Sequence, residues 1–229
     1  MGLLLHIDTA TEHASVCVTN NDIIVGFAEN TDQKNHGAFL QPAIKQIFKH
    51  SEFLLKNIDA ISVSNGPGSY TGLRVGLTSA KGLCYALNKP LITINTLEIM
   101  AMAAIKQYGN NQQTTKHVYF CPLIDARRME VFTAIYDVNL KIILEPTAKI
   151  IDENSFDIYL KDHSILFSGN GLQKLKTVVE NSNASYTYVQ HSAIHLSYLA
   201  EQYFKKKMFA NLAYSEPFYL KAFFSPTKK

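Results

Sequence analysis

Apolar positions fall into short runs and helical stripes that alternate along the chain. Leu3 to Ile7 is apolar and strand-length, and Ala14 to Thr19 and Ile23 to Ala28 follow it around Asn20-Asn21-Asp22, a hairpin-turn composition. These predict three antiparallel strands. From His36 to His50 the apolar residues Phe39, Leu40, Ala43, Ile44, Ile47 and Phe48 recur at helical spacing. Ile58–Val63 predicts a strand, and a helix then runs from Tyr70 to Leu87, ended by Asn88-Lys89-Pro90 because proline cannot continue it. Leu91–Ile94 predicts a strand, and Thr96 caps a third helix through Ile105.

The order then recurs. Val118–Ile124, Glu130–Tyr136 and Ile142–Ile150 predict strands, Asn154–Leu160 a short helix, Ile165–Phe167 a strand, Leu172–Glu180 a helix, Tyr186–Val189 a strand and Ser192–Phe204 a helix. The polar, aperiodic stretch Gly109–Thr115 separates the two copies, so two lobes are expected, 1–108 and 109–229. A unit of three strands, helix, strand, helix, strand, helix, used twice, predicts an α/β fold with two mixed sheets flanked by helices. That is the arrangement of the actin-like (ASKHA, ribonuclease-H-like) fold.

Composition narrows the function classes. The 229 residues are 47% hydrophobic and 18% charged, with a net charge of +3, too mild for a nucleic-acid groove, which needs clustered cations. The one dense basic run, Lys205-Lys206-Lys207, suits a solvated helix end. Cys17, Cys84 and Cys121 are odd in number and form no Cys-x-x-Cys pair, which fits a reducing, cytoplasmic setting. Asp8 interrupts the apolar start, against a signal peptide, and no run is long enough to span a bilayer.

The stretch SNGPGSYTGLRVG, Ser64 to Gly76, sits between a strand and a helix, where nucleotide-binding proteins hold phosphate. It has no phosphate-loop lysine after Gly72, and Thr71 stands where the dinucleotide fingerprint needs glycine. A tight turn with a Ser69 or Thr71 cap accounts for it as well. Two further turns match the positions of actin-like phosphate hairpins. Asp8-Thr9-Ala10-Thr11 could hold Mg²⁺ through Asp8 but lacks glycine, and Asp125-Ala126-Arg127-Arg128 places two bulky cations where backbone should approach phosphate. An Asp125–Arg127 turn lock explains the second equally well. Gly169-Asn170-Gly171 could face an adenosine or be an ordinary turn. Asp8, Thr9, Asp125, Arg127 and Gly169 are therefore candidates for a degenerate nucleotide site. His36 has Leu40 four residues on, so no His-x-x-x-His pair forms there. His191 and His195 have that spacing on an expected helix, but no carboxylate accompanies them, and a metalloprotease-like site is the weaker alternative to no metal.

On a helical wheel the apolar arc of 36–50 covers roughly 180° and that of 70–87 roughly 220°, against about 100° needed to lie on one sheet. Arg74, Thr78, Lys81 and Tyr85 fill the remainder of the second. Either a neighbouring helix of the same lobe covers the excess, or a partner protein does, with Gly72, Gly76 and Ala80 permitting close packing.

IDTATEHASV, the helix opened by His36, NGPGSYTGLRVGL, INTLEIMA, DARRMEVF and EPFYLK, spread over nearly the whole chain, resemble the TsaB (YeaZ) family. The resemblance implies a non-catalytic paralogue of the TsaD/Kae1 transferases, from which this sequence departs at Leu40 and at Ala126-Arg127. It implies an accessory subunit in threonylcarbamoyladenosine modification of tRNA that pairs with TsaD, with the ATPase TsaE joining and a homodimer forming when the chain is alone. It also implies no cofactor, no metal and only indirect contact with tRNA. The implied interface comprises His36, Phe39, Leu40, Ala43, Ile47, Gly72, Leu73, Gly76, Leu77 and Ala80. An active actin-like ATP-dependent kinase or transferase is the alternative.

Overall fold

The computed structural model describes residues 2–32, 35–109 and 118–221; the polar stretch 110–115 lies outside them. Two five-stranded mixed sheets form. The first has β1 (Leu3–Asp8), β2 (Ala14–Asn20), β3 (Ile23–Asn30), β4 (Ala60–Ser64) and β5 (Leu91–Ile94) in the order β3-β2-β1-β4-β5. The second has β6 (Val118–Asp125), β7 (Glu130–Tyr136), β8 (Ile142–Ile150), β9 (Ser164–Ser168) and β10 (Ala184–Thr187) in the order β10-β9-β6-β7-β8. The two orders are the same topology. In each, three antiparallel strands come first and two parallel strands extend the sheet from the first of them.

Strand alternation assigns the faces. Leu3, Leu5 and Ile7 of β1 pack with α1 (His36–Lys49) and α2 (Tyr70–Leu87), whereas Leu4 packs with Leu196, Leu199 and Ala200 of α6 (Ala193–Lys205). Helix α3 (Thr96–Gly109), which follows β5, packs largely on the second sheet, with Leu97, Met100 and Ala101 against Phe120, Ala134 and Tyr136. The short helices α4 (Asp157–Leu160) and α5 (Leu172–Lys176) supply Leu160, Leu172 and Leu175 to a separate core with Phe156 and Phe167. So α3 and α6 sit between the sheets, each covering the sheet built by the other half.

Local chemistry sets the ends of the elements. Ser69 Oγ accepts from Gly72 N at the start of α2, and Asn88 closes its end in a left-handed conformation, φ 53°. Thr96 is not the cap of α3. Asn95 Oδ1 accepts from Leu97 N at 2.9 Å, while Thr96 Oγ1 accepts from Gly66 N at 3.2 Å and ties the helix to the glycine turn.

A buried polar chain crosses the first sheet on its α6 side. Ser62 Oγ lies 2.7 Å from His6 Nδ1, His6 Nε2 lies 2.8 Å from Thr19 Oγ1, and Thr19 Oγ1 donates to Glu201 Oε1 at 3.3 Å. Since Thr19 gives its proton to Glu201, His6 donates from Nε2 and accepts at Nδ1. Burial holds its pKa down at about 3.

Candidate functional site

A cleft of about 470 Å³ opens between the halves, where actin-like proteins hold nucleotide. Ala10, Thr11 and Glu12 line one wall with Gly68, Ser69 and Thr71, and Asp125, Ala126, Arg127, Phe132 and Asn170 line the other. Asn170 Nδ2 donates to Glu12 Oε2 at 2.9 Å and joins the walls.

The first turn spends its polar groups inside the protein. Asp8 is 1% exposed and does not line the cleft. Its Oδ1 accepts from Ser64 Oγ at 2.7 Å and from Ala10 N at 3.2 Å, and its Oδ2 lies 3.5 Å from His191 Nε2. Thr9 is fully buried, and its Oγ1 donates to Gly72 O at 2.7 Å. Ser69 N donates to Ala10 O at 2.7 Å and His36 Nε2 to Thr11 O at 2.9 Å. A Cβ on Gly72 would overlap the Thr9 carbonyl, and one on Gly76 would overlap Thr9 Oγ1. These glycines let α2 sit directly on the turn, and the turn is held by both helices.

The second turn faces the cleft yet is also closed on itself. Asp125 N donates to Asn170 Oδ1 at 2.8 Å, Ala126 N to Glu130 O at 3.1 Å and Arg127 N to Asp125 Oδ1 at 2.7 Å. The lock on Asp125 runs through the backbone of Arg127, and the charge partner is Lys174, whose Nζ is 2.8 Å from Asp125 Oδ1. Partial burial pushes the Asp125 carboxyl up, but the Lys174 ammonium and the Arg127 amide outweigh it and hold it below its ordinary value. Of the five nucleotide-site candidates, Asp125 and Arg127 therefore line the cleft, Asp8 and Thr9 lie inside, and Gly169 lines a small adjoining pocket with His191 and Tyr188.

The histidine pair does not share a helical face, as the sequence spacing suggests. α6 begins at Ala193, so His191 lies in the preceding loop and turns to Asp8, while His195 Nδ1 accepts from Ser192 N at 3.1 Å in a capping box. Burial first, then the neighbouring His191, lowers the His195 pKa to about 4. Among the described residues, no three His, Cys, Asp or Glu side chains form a metal-holding group. No helix among them is long and apolar enough to cross a membrane.

The interface residues expected from the apolar arcs face inward. Leu40, Ala43, Ile47, Leu77 and Ala80 pack on Ile7, Val16, Val18 and Val63 of their own sheet, and Leu73 is also fully buried. His36, Gly72 and Gly76 are buried at the first turn, and Phe39 is half-buried against the same core. Within the single chain these residues therefore belong to the packing of the first lobe. Two helices side by side on a twisted sheet also cover one another's flanks, and that contact uses the wide arcs. The outward faces consist instead of Gly37, Ala38, Gln41, Pro42, Lys45 and Lys49 on α1 and Thr71, Arg74, Thr78, Gly82 and Tyr85 on α2.

Sequence reasoning missed the tail. Residues 211–221 return across the start of α2. Tyr219 stacks on Tyr70 at 4.9 Å and accepts from Arg74 Nε at 3.2 Å, and Phe218 N donates to Asn65 O at 2.7 Å. Lys221 then reaches Glu130 of β7 at 2.6 Å and spans the halves. The polar partners of Asp8, Ser64 and His191, were missed too, because they come from strand and loop positions far apart in sequence.

Comparison with known proteins agrees with this geometry. A family model described as "TsaD: tRNA N6-adenosine threonylcarbamoyltransferase" matches residues 19–222. The chain is 29% identical over 184 residues to the tRNA threonylcarbamoyladenosine biosynthesis protein TsaB of Buchnera aphidicola subsp. Schizaphis graminum, covering 79% of this chain and 83% of the relative. It is 26% identical over 195 residues to the Bacillus subtilis protein of the same name, covering 84% and 81%. The crystal structure of YeaZ from Pseudomonas aeruginosa superposes with a TM-score of 0.81 at 22% identity, over 96% of this chain and 100% of that one, and shares the fold.

Proposed function

This chain belongs to the TsaB (YeaZ) branch of the family described by the tRNA N6-adenosine threonylcarbamoyltransferase model, and from that premise we propose that it acts in threonylcarbamoyladenosine biosynthesis as an accessory subunit. It binds and activates a TsaD-type transferase through the outward faces of α1 and α2, with a TsaE-type ATPase joining the pair, and it meets tRNA only through them. The observation that carries the reading is the closed first turn. In a working actin-like site the turn after the first strand offers its amides to phosphate and its carboxylate to a hydrated cation. Here the Ala10 amide serves Asp8, the carboxylate accepts from Ser64 and lies 3.5 Å from His191 Nε2, and α2 rests on Thr9. The turn builds the support of two helices, with its carboxylate and the Ala10 amide already engaged within the protein.

The alternative, an active ATP-dependent kinase or transferase, draws on the cleft itself. Its volume of about 470 Å³ lies within the range of about 300–1,000 Å³ usual for ligand sites. Reconstitution separates the two readings. Transfer of the threonylcarbamoyl group to tRNA by the cell's own TsaD should require this chain, and the two should co-purify. Calorimetry with Mg-ATP on the chain alone should give no tight binding. Tight ATP binding with turnover by the isolated chain, and modification that proceeds equally without it, would overturn the accessory reading.

A further inference from the structure

A second cavity, of about 460 Å³, opens where α3 and α6 meet the turn between β7 and β8. Glu98 and Met102, one helical turn apart on α3, form one wall, and Leu199, Gln202, Tyr203 and Lys206 of α6 form the other. The chain after α6 reverses at Lys207, φ 56°, and Met208 N donates to Tyr203 O at 2.9 Å, which brings Met208 back to the cavity. The turn after β7 is pinned over it. Asp137 Oδ1 accepts from Asn139 N at 2.8 Å and from Lys141 N at 2.9 Å, and Leu140 holds a left-handed backbone, φ 60°. A bulky residue rarely adopts that conformation. Here it sets Leu140 against the apolar clusters of both sheets.

The walls define the chemistry of a ligand. Glu98 is their one carboxylate, and it is half-buried. Among the described residues no Lys, Arg or His lies within ion-pair reach of it. Its hydrogen bond comes from the Tyr203 hydroxyl, at 3.3 Å to Oε2. Burial pushes the Glu98 carboxyl up, and the Tyr203 bond offsets this only in part. A carboxylate so placed lacks its counter-charge and favours a cation that fits. Met102, Leu140, Leu199 and Met208 add apolar surface, which a hydrated metal ion would not use. Lys206, exposed at the rim, disfavours a second positive charge.

We propose that this cavity binds a small organic ligand with a primary ammonium group at one end, held by Glu98 and Tyr203, a short apolar body between Met102 and Leu199, and a neutral or anionic far end at Lys206. The site is separate from the cleft between Thr11 and Asp125, and its ligand does not depend on the accessory role. Because α3 follows β5 of the first sheet and the β7–β8 turn belongs to the second, a ligand here joins the two halves.

Four short-chain probes separate the parts: butylammonium, γ-aminobutyrate, putrescine and butyrate. Each is titrated into the full chain and followed by backbone amide NMR shifts and melting temperature. Butylammonium and γ-aminobutyrate should bind saturably in the millimolar range, as so few atoms allow. Their shifts should centre on Glu98, Leu140 and Tyr203, and the melting temperature should rise. γ-Aminobutyrate should bind about threefold tighter than butylammonium through Lys206. Putrescine should bind more weakly, and butyrate should not bind. Glu98→Gln, which keeps the shape and removes the charge, should weaken butylammonium about tenfold or more. Tyr203→Phe, which keeps the packing and removes the hydroxyl, should weaken it too and carries the test if Glu98→Gln fails to fold. Lys206→Ala should erase the preference among the three amines. No saturable amine binding, butyrate binding as tight as butylammonium, or unchanged affinity in both folded variants would overturn the site. A preference that survives Lys206→Ala would refute the assignment of the far end.

Discussion

The two halves place an aspartate at the same topological point, the end of the central strand before its antiparallel neighbour, and treat it in opposite ways. Asp8 is sealed among Ser64, the Ala10 amide and His191. Asp125, with its side chain 43% exposed, meets Lys174 and the Arg127 amide at the rim of the cleft. The same fold position is thus a buried structural hub in one half and a solvated turn in the other. Topology alone does not make a phosphate site. The atoms that the turn's amides and carboxylate already serve decide whether it can be one.

Acid sharpens the contrast most. His6 and His195, both on the first-sheet side, have pKa values held down at about 3 and about 4 by burial. Between pH 6.5 and those values the unfolded chain binds protons that the folded chain refuses. Their stabilisation is complete above about pH 6.5 and is lost as pH falls, at about 1.4 kcal/mol per pH unit for each histidine. By pH 4 the two together have withdrawn about 6 kcal/mol, a large part of a typical total of roughly 5–15 kcal/mol. Replacing His6 with Gln should remove about half of that slope in denaturant titrations across pH, and an unchanged slope would refute the assignment.

Next come the glycine contacts of the first turn. Gly72→Ala forces a methyl onto the Thr9 carbonyl, a backbone atom with little freedom, and should cost about 3 kcal/mol. Gly82→Ala, on the open face of the same helix, should instead gain up to about 1 kcal/mol. Equal effects at the two sites, read from chemical denaturation midpoints, would show that α2 does not rest on the turn.

Removing the hub carboxylate should cost about 1–3 kcal/mol, because Asp8→Ala leaves the Ser64 hydroxyl and the Ala10 amide without their acceptor in the interior. The matching change in the other half is the smallest. Asp125→Asn loses a partly solvated ion pair and should cost less than about 1 kcal/mol. Because the Asp125 carboxyl is held below its ordinary value, its small contribution is present at neutral pH and fades below about pH 4. Similar melting temperatures for Asp8→Ala and Asp125→Asn would erase the distinction between the two turns.

The chain's own pattern determined the order of elements, the duplication and the two mixed sheets. α2, β5, β7 and β8 begin and end where the periodicity and Asn88-Lys89-Pro90 indicate. Short apolar runs were less legible. β10 forms at Ala184–Thr187, two residues before the run expected, and α5 stops at Lys176. In runs of four or five residues the period is too brief to fix the boundary against turn bonds such as Ala184 N to Asn181 O. The irregular glycine stretch and the missing phosphate-loop lysine were also visible in one dimension.

Which surface each stripe meets was decided only in three dimensions. The wide arcs of α1 and α2 gave amphipathicity but not its partner, since a neighbouring helix, a sheet and another protein all want apolar side chains. Leu40, Leu77 and Ala80 went to the sheet because β1, β2 and β4 offered Ile7, Val16 and Val63 on the matching face. The pairing of Asp8 with Ser64 and His191, and of Glu130 with Lys221, joins residues far apart in the chain. Periodicity records local geometry, whereas contacts at such separation depend on how the two sheets and the helices between them come together.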